Sequence, residues 1–352
     1  MKRSLKVLFF LLAAVLLMLS ACGKEEAAQP AEAEKGKEEA AQPAEAEKEK
    51  EQEKQKIGIT QFVAHPSLDA ATEGFKKALE DEGFKEGENV EFNFQNAQAD
   101  MNNTQTIANN FVGDKVDLIF ANATPSAVSA LNATKDIPIL FTSVTDPVGA
   151  GLVEAFDKPG DNITGTTDNH PEGTAKTIHF IIDEAGAKTI GVIYNAGEQN
   201  SEVQVAEVKK LAEAKGATIV EASVSTSAEV KQATESLVGR VDAIYVPTDN
   251  TVVSALESVI SVADSEKLPL FVGELDSMKR GAVAASGFSY YDLGYQTGKM
   301  AAEILKGNKK PSDIPVELPS SLTLMINKKA AEQQGLEVKQ EWEKIAEFYE
   351  GE

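Results

Sequence analysis

Polar side chains gather just after the short β-rich runs of this 352-residue chain. Thr60, Gln61, His65 and Ser67 follow the first run. Asn122, Thr124 and Ser126 follow the third, and Ser143, Thr145 and Asp146 the fourth. In the second half, Asn195, Glu198, Asn200 and Ser201 follow one run, Asp249 and Asn250 another, and Glu274 the last. Asp168 lies in a stretch of turn formers between the halves. The first set supplies hydroxyls and amides with few acids. Helix N-termini add free N–H groups and a partial positive charge, which suits a carboxylate. The second set supplies Glu198, Asp249 and Glu274, which suit an ammonium. A small molecule carrying both groups is an amino acid. Ser126 and Thr124 are expected on its carboxylate, and Asp249 or Glu198 on its ammonium. Ser67, Thr124, Ser201 and Asn250 are also good helix N-caps, and Pro125 suits a first helical position, so any one of them alone could be only a cap.

Phe62, His65, Tyr194, Phe288, Tyr290 and Tyr291 lie near the same turns and are candidates for a slot that takes a ring. Other chemistry finds little support. Three scattered histidines and one cysteine make no metal site. No Gly-x-Ser-x-Gly, phosphate loop or Gly-x-Gly-x-x-Gly follows the first run, so neither an enzyme nor a cofactor is expected. The net charge is −22. Nearly all of it falls on the chain beyond Lys56, which argues against nucleic acid as a partner.

The elements that would position these residues follow a rhythm. Lys56–Phe62 reads as a strand, and Ser67–Glu82 as a helix with Leu68, Ala71, Phe75, Ala78 and Leu79 on one face. Val90–Asn96, Val116–Asn122 and Ile137–Val144 are further strands, separated by helices at 102–112 and 125–133. The rhythm pauses in the turn-rich Pro159–Pro171 and restarts. Helices are expected at 174–185, 201–215, 228–238 and 252–265, and strands at 189–195, 218–224, 241–247 and 268–274. The chain then runs through 282–294 into a helix ending at Leu305, and finishes with a strand at 321–327 and helical pieces. Strand, helix, strand at this spacing predicts parallel sheets covered on both faces. Two doubly wound lobes place the ligand in the cleft outside the carboxyl ends of their strands.

The N-terminus reads differently. Lys2, Arg3 and Lys6 precede an apolar run from Val7 to Leu19, then Ser20, Ala21 and Cys22. That order is a secretory signal, and Leu19-Ser20-Ala21-Cys22 resembles a lipobox, whose cysteine is lipidated. Residues 1–21 are therefore expected to be a signal peptide and Cys22 the anchor at the outer face of a membrane. Gly23–Lys35 is repeated letter for letter at Gly36–Lys48. Residues 22–56 carry no aromatic or β-branched side chain and are expected to form a disordered tether.

Taken in order, His65-PSLDA, Ala123-TPSA, Phe141-TSVTDPVGAGLV, Val192-IYNAGEQNS, Asp249-NTV and Gly287-FSYYDLG resemble the substrate-binding lipoproteins of ABC importers, and more narrowly their tryptophan/tyrosine type. The resemblance spans roughly residues 56–338. It implies the type I periplasmic-binding fold: two α/β lobes joined by a three-segment hinge near 165–169, 282–287 and 317–322. Residues 57–166 with 284–316 would form the N-terminal lobe, and 167–283 with 317–352 the C-terminal lobe. It also implies a monomer that closes on a small ligand, an aromatic amino acid, and docks on a permease driven by ATPases. A branched amino acid, a purine or a sugar in the same fold stays open, as does a secreted sensor or enzyme unconnected to transport.

Overall fold

The structure, a computed structural model, describes residues 54–351. The expected signal peptide, Cys22 and most of the tether lie outside the described residues.

The first lobe is built on β1 (Gln55–Gln61), α1 (Pro66–Asp81), β2 (Val90–Asn96), α2 (Met101–Gly113), β3 (Leu118–Asn122), α3 (Thr124–Ala133), β4 (Ile139–Val144) and β5 (Ile163–Thr167). Its strands form a parallel sheet in the order β2-β1-β3-β4-β5. β3, β4 and β5 are buried along their whole length, as helix-covered parallel strands must be. Gln55, expected in the tether, already belongs to β1, where its N–H donates to Asn89 O.

The second lobe follows with α4 (Gly173–His179), which continues as a wider π turn to Glu184, then β6 (Thr189–Asn195), α5 (Gln199–Ala214), β7 (Thr218–Val224), α6 (Val230–Glu235), β8 (Ala243–Val246), α7 (Asn250–Ser254), α8 (Leu256–Glu266), β9 (Leu270–Val272), α9 (Leu275–Gly281) and β10 (Ala284–Gly287). α10 (Tyr290–Leu305) returns to pack on α1 of the first lobe. β11 (Thr323–Asn327), α11 (Lys328–Gln333) and β12 (Glu347–Tyr349) rejoin the second lobe. The second sheet runs β12-β11-β10-β9-β8-β6-β7 and is parallel except for the β10–β11 pair. Each sheet has an apolar core on both faces. Phe111, Phe141 and Ile119 lie on one side of the first and Phe75, Phe120 and Leu140 on the other. Val246, Val272 and Leu256 face Trp342, Tyr245 and Phe271 across the second.

Several expectations are corrected. β5 was hidden in the turn-rich stretch. Its Thr and Gly residues look like loop, but burial between β4 and the chain near Glu317 makes them a strand. Thr167, expected in the second lobe, pairs with Val144 in the first sheet. Ala284–Gly287, expected in the first lobe, pair with Phe271 and with β11 in the second. Glu317 is held by the first lobe, since its N–H donates to Gly165 O and its carbonyl accepts from Thr167 N. The chain therefore crosses between the sheets after Thr167, after Gly287 and after Glu317. The single helix expected at 252–265 is two, broken at Ala255, whose φ and ψ are −118° and 23°. The chain's last regular element is the strand β12, not a helix.

The cleft is shut. His65 Nε2 lies 3.4 Å from Asn250 Oδ1 across it, and Gln204 Nε2 on α5 donates to Thr145 Oγ1 after β4 at 3.3 Å.

Candidate functional site

The turns after β3 and β4 are strained in the same way. Ala123 has φ 83° and Ser143 φ 56°, in the left-handed region that side chains other than glycine seldom adopt. The β4–β5 ladder slips between Phe141 and Val144, so Ser143 stands at a bulge that re-aims its side chain. Such strain persists where the surroundings over-determine it, and it clusters at functional sites. Asn122 pairs with Thr142, which sets the two turns side by side.

The hydroxyls here are not spent on capping. Expected caps prove to be first-turn residues, because the capping positions are His65 for α1, Ala123 for α3, Glu198 for α5 and Asp249 for α7. Thr124 Oγ1, Ser126 Oγ and Ser143 Oγ are buried and have no hydrogen-bond partner. Thr60 Oγ1, His65 Nδ1 and Asn200 Oδ1 are likewise buried and unpartnered. A buried polar atom without a partner costs about 1–3 kcal/mol, so this concentration marks a place suited to polar contacts with a guest or ordered water.

Between the sheets lies a nearly filled space of about 10 Å³, bordered by His65, Ser143, Asp168, Asn200, Asn250, Glu274 and Tyr290. A second space of about 20 Å³ adjoins it and shares Asp168 and Thr248. In this shut form each has room for about one water, well short of the ~300–1,000 Å³ usual for a small-molecule site. Ser67 is fully buried in the first turn of α1, and its hydroxyl lies near enough Glu274 to lower that carboxyl's pKa. Neither Thr124 nor Ser126 borders either space.

Two carboxyls reach the first space. Asp168 Oδ1 accepts from Thr145 Oγ1 at 3.0 Å and Oδ2 from Tyr290 at 2.9 Å. Burial still pushes it up to about 6. Glu274 accepts from Ser277, and burial pushes it up to about 7. His65 is driven the other way by burial, down to about 4, and is neutral. Asn250 Nδ2 is committed to Glu198, which leaves its Oδ1 as an acceptor and places the His65 proton on Nε2. His65 Nδ1 is then a free acceptor.

The other expected residues do structural work. Asp249 caps α7 through Val252 N at 2.7 Å and also accepts from Asn195 N and Ser201 Oγ, each at 2.6 Å. Glu198 accepts from Thr251 N, Thr251 Oγ1 and Asn250 Nδ2 at 3.0, 2.7 and 2.6 Å. Burial raises both carboxyls, Glu198 to about 7. Neither borders the two spaces. Asn195 spans Thr251 and Gly197. Gln61 and Asn122 join Thr72 in a network within the first lobe. Asp146 is partly exposed and holds a turn through Gly149 N. Of the aromatic set, His65 and Tyr290 border the first space and Phe288 the second. Phe62 is core, Tyr194 bonds Glu221, and Tyr291 is exposed, stacked on Tyr295. Gln204 and Ser286, which border the second space, escaped the sequence reading.

The family profile described as ABC transporter substrate binding protein matches residues 56–348. The chain belongs to this family of substrate-binding proteins. It is 45% identical to the tyrosine-binding protein of Clostridioides difficile strain R20291, over 93% of this chain and 91% of that one. The solved structure of an ABC domain in complex with L-Trp from Streptococcus pneumonia is 36% identical, with a TM-score of 0.79 over 84% of this chain and 99% of that one. The ligand-free, open structure of a substrate-binding protein with adhesive properties from Clostridium difficile is 46% identical, with a TM-score of 0.62 over 85% and 100%. The relative nearer in sequence superposes worse. Rotation of intact lobes gives that result, and it agrees with the shut cleft of this substrate-binding protein.

Proposed function

We propose that this substrate-binding protein captures an aromatic L-amino acid between its lobes and presents it to an ABC permease at the outer face of a membrane. The observation that carries the reading is chemical asymmetry within one closed site. The unpartnered hydroxyl of Ser143 and the buried carboxyls of Asp168 and Glu274 border one space, and the unpartnered hydroxyls of Thr124 and Ser126 open the helix that follows β3. The first turn of α3 adds N–H groups and the positive end of its dipole for a carboxylate. The ammonium goes to Asp168 and Glu274, with His65 Nδ1 as a third acceptor. Asp249 and Glu198, the partners expected from sequence, are occupied within their own lobe. The relatives named for tyrosine and solved with L-Trp support an aromatic side chain.

Capture works by closure. Only the shut form lets both lobes touch the ligand, so the ligand draws the equilibrium toward it. Cys22 would hold the protein at the membrane through its lipid, beside the permease and its ATPase. The mature protein acts as a monomer, without cofactor or metal.

The test is thermal unfolding with each of the twenty amino acids, nucleosides and sugars. A true ligand at 100 times its Kd adds about 2.7 kcal/mol of stability. No shift with tyrosine, tryptophan or phenylalanine overturns the aromatic assignment. Cys22→Ala should release the protein into the medium, which fractionation of cells would detect.

A further inference from the structure

A chain of hydrogen bonds crosses the shut cleft and ends on Asp168. It starts at Gln204, which is buried on α5 of the second lobe. The Thr248 backbone N–H donates to Gln204 Oε1 at 3.1 Å, and a main-chain N–H can only donate, so the orientation of the amide is fixed. Gln204 Nε2 then has two protons to give. One goes to Thr248 Oγ1 in its own lobe, and the other to Thr145 Oγ1 in the first lobe at 3.3 Å. The buried Thr145 hydroxyl accepts from Gln204 and donates its own proton to Asp168 Oδ1 at 3.0 Å. Tyr290 donates to the other oxygen of the same carboxylate. Every donor along this path points toward Asp168. Donors in series polarise one another, and hydrogen bonds to a carboxylate favour its charged form.

The other titratable groups around Asp168 do not hold that charge. Glu274 opposes it, His65 across the first space is neutral, and His170 beside the second space bonds Glu172 N at 3.2 Å. The link from Gln204 to Thr145 is formed when the lobes come together, because α5 and the turn after β4 belong to different lobes. We propose that Gln204 is a positioning residue for capture: closure brings its N–H to Thr145, and Thr145 in turn holds the Asp168 carboxylate charged and in place for the ligand's ammonium. The inference rests on the amino-acid reading above and adds how closure prepares the acceptor. Closing the lobes and pairing the ammonium then favour each other at one carboxylate.

The experiment titrates L-tyrosine, L-tryptophan and L-phenylalanine by calorimetry from pH 5 to 8 into wild type, Gln204→Leu, Thr145→Val and the double variant. Leu and Val keep the approximate shape of the side chains they replace and remove their hydrogen bonds. Each single variant should weaken binding by roughly 3- to 10-fold at pH 8 and move the loss of affinity near pH 6 to higher pH. The two shifts should not add. With Thr145→Val in place, Gln204→Leu should leave the midpoint where it is, because the path from Gln204 to Asp168 is already cut. A residue that merely packs α5 would lower affinity without moving the midpoint. A Gln204→Leu midpoint equal to that of wild type, or a shift that persists beside Thr145→Val, overturns the role of Gln204 and leaves the amino-acid reading intact. If wild type binds none of the three, the aromatic reading falls. The role of Gln204 is then read without ligand, from the Asp168 carboxyl carbon followed by NMR through the same pH range in the same four proteins, with the same outcomes for and against.

Discussion

Tyr290 donates its phenol proton to Asp168 Oδ2 at 2.9 Å, and so ties the first crossing between the lobes to the start of the helix that follows the second. Thr145 bonds the other oxygen of the same carboxylate, and Gln204 reaches Thr145 from the opposite lobe. Asp168 is thus at once a wall of both spaces between the sheets and a junction of the hinge. Its charge state should bear on both capture and closure.

That relationship sets a pH dependence. Burial holds Asp168 at about 6 in the empty protein. An ammonium beside it would lower that value, so binding releases a proton in this range. Affinity should fall as pH drops through about 7, where Glu274 takes its proton, and further through about 6, where Asp168 does, since each carboxylate must be ionised to meet the ammonium. Tyr290→Phe removes a bond that lowers the Asp168 pKa, and should move the midpoint of this loss to higher pH. Asp168→Asn should remove the part of the loss near pH 6, leave the part near pH 7 that belongs to Glu274, and weaken binding overall. Titrations of L-tyrosine from pH 5 to 8 in buffers of different ionisation enthalpy would read both the affinity and the released proton. An acid limb unchanged in Asp168→Asn would exclude this residue as its source.

How far the sequence foretold the site follows from the same residues. The lobes and their alternating elements were legible, because helical and strand periodicities survive in single stretches such as Pro66–Asp81 and Thr189–Asn195. β5 was not, because Ile163–Thr167 is a strand by virtue of its neighbours and not of its composition. The choice among acids was also illegible. Glu198, Asp249 and Glu274 look alike as letters after strands. Only the hydrogen-bond inventory separates the first two, bonded within their lobe, from Glu274 and Asp168 at the ligand space. Ser286 gave no signal at all, since a serine in a short strand is ordinary until its hydroxyl proves to be orphaned.

Asp249→Ala should therefore act on the fold more than on the ligand. The carboxylate caps α7 and receives Asn195 N and Ser201 Oγ, and its loss leaves those donors unsatisfied in the interior. A cap is worth about 1 kcal/mol and each stranded donor about 1–3 kcal/mol. Chemical denaturation should show a loss on the order of 3–7 kcal/mol in the absence of ligand. A variant of wild-type stability whose affinity had collapsed would instead return Asp249 to the ligand.

Glu274 gives a stability prediction with a defined sign. Its carboxyl rises from 4.5 to about 7 on folding, because burial penalises the charge. A raised carboxyl binds its proton more tightly in the folded state. Its contribution is most favourable below pH 4.5 and is lost as pH climbs toward 7. Glu274→Gln cannot titrate, so ligand-free wild type should lose stability relative to this variant across that window. The change should be on the order of 2–3 kcal/mol, from 1.36 kcal/mol per unit. His65 opposes it within wild type, gaining stability as pH rises from 4 to 6.5, but it is common to both proteins and cancels. Parallel denaturation curves at pH 5 and pH 7.5 would contradict the buried, charge-averse environment assigned to Glu274.

The return of α10 to the first lobe rests on two glycines that face each other's helix. A Cβ on Gly294 would overlap the carbonyl of Ala71 in α1, and one on Gly74 would overlap the carbonyl of Tyr291 in α10. Both overlaps are with main chain, which no rotamer change relieves. The helices can approach this closely only without those side chains. Gly294→Ala should force α10 off α1 and cost about 1–3 kcal/mol, despite the better helix propensity of alanine. Because Tyr290 lies in the first turn of α10, the same displacement should loosen its bond to Asp168 and weaken the ligand affinity. Gly307→Ala supplies the contrast, since no atom would meet its Cβ and its φ of 73° makes the penalty local to the loop after the helix. Denaturation and titration of the two variants side by side should show stability lost in both and affinity lost in Gly294→Ala alone.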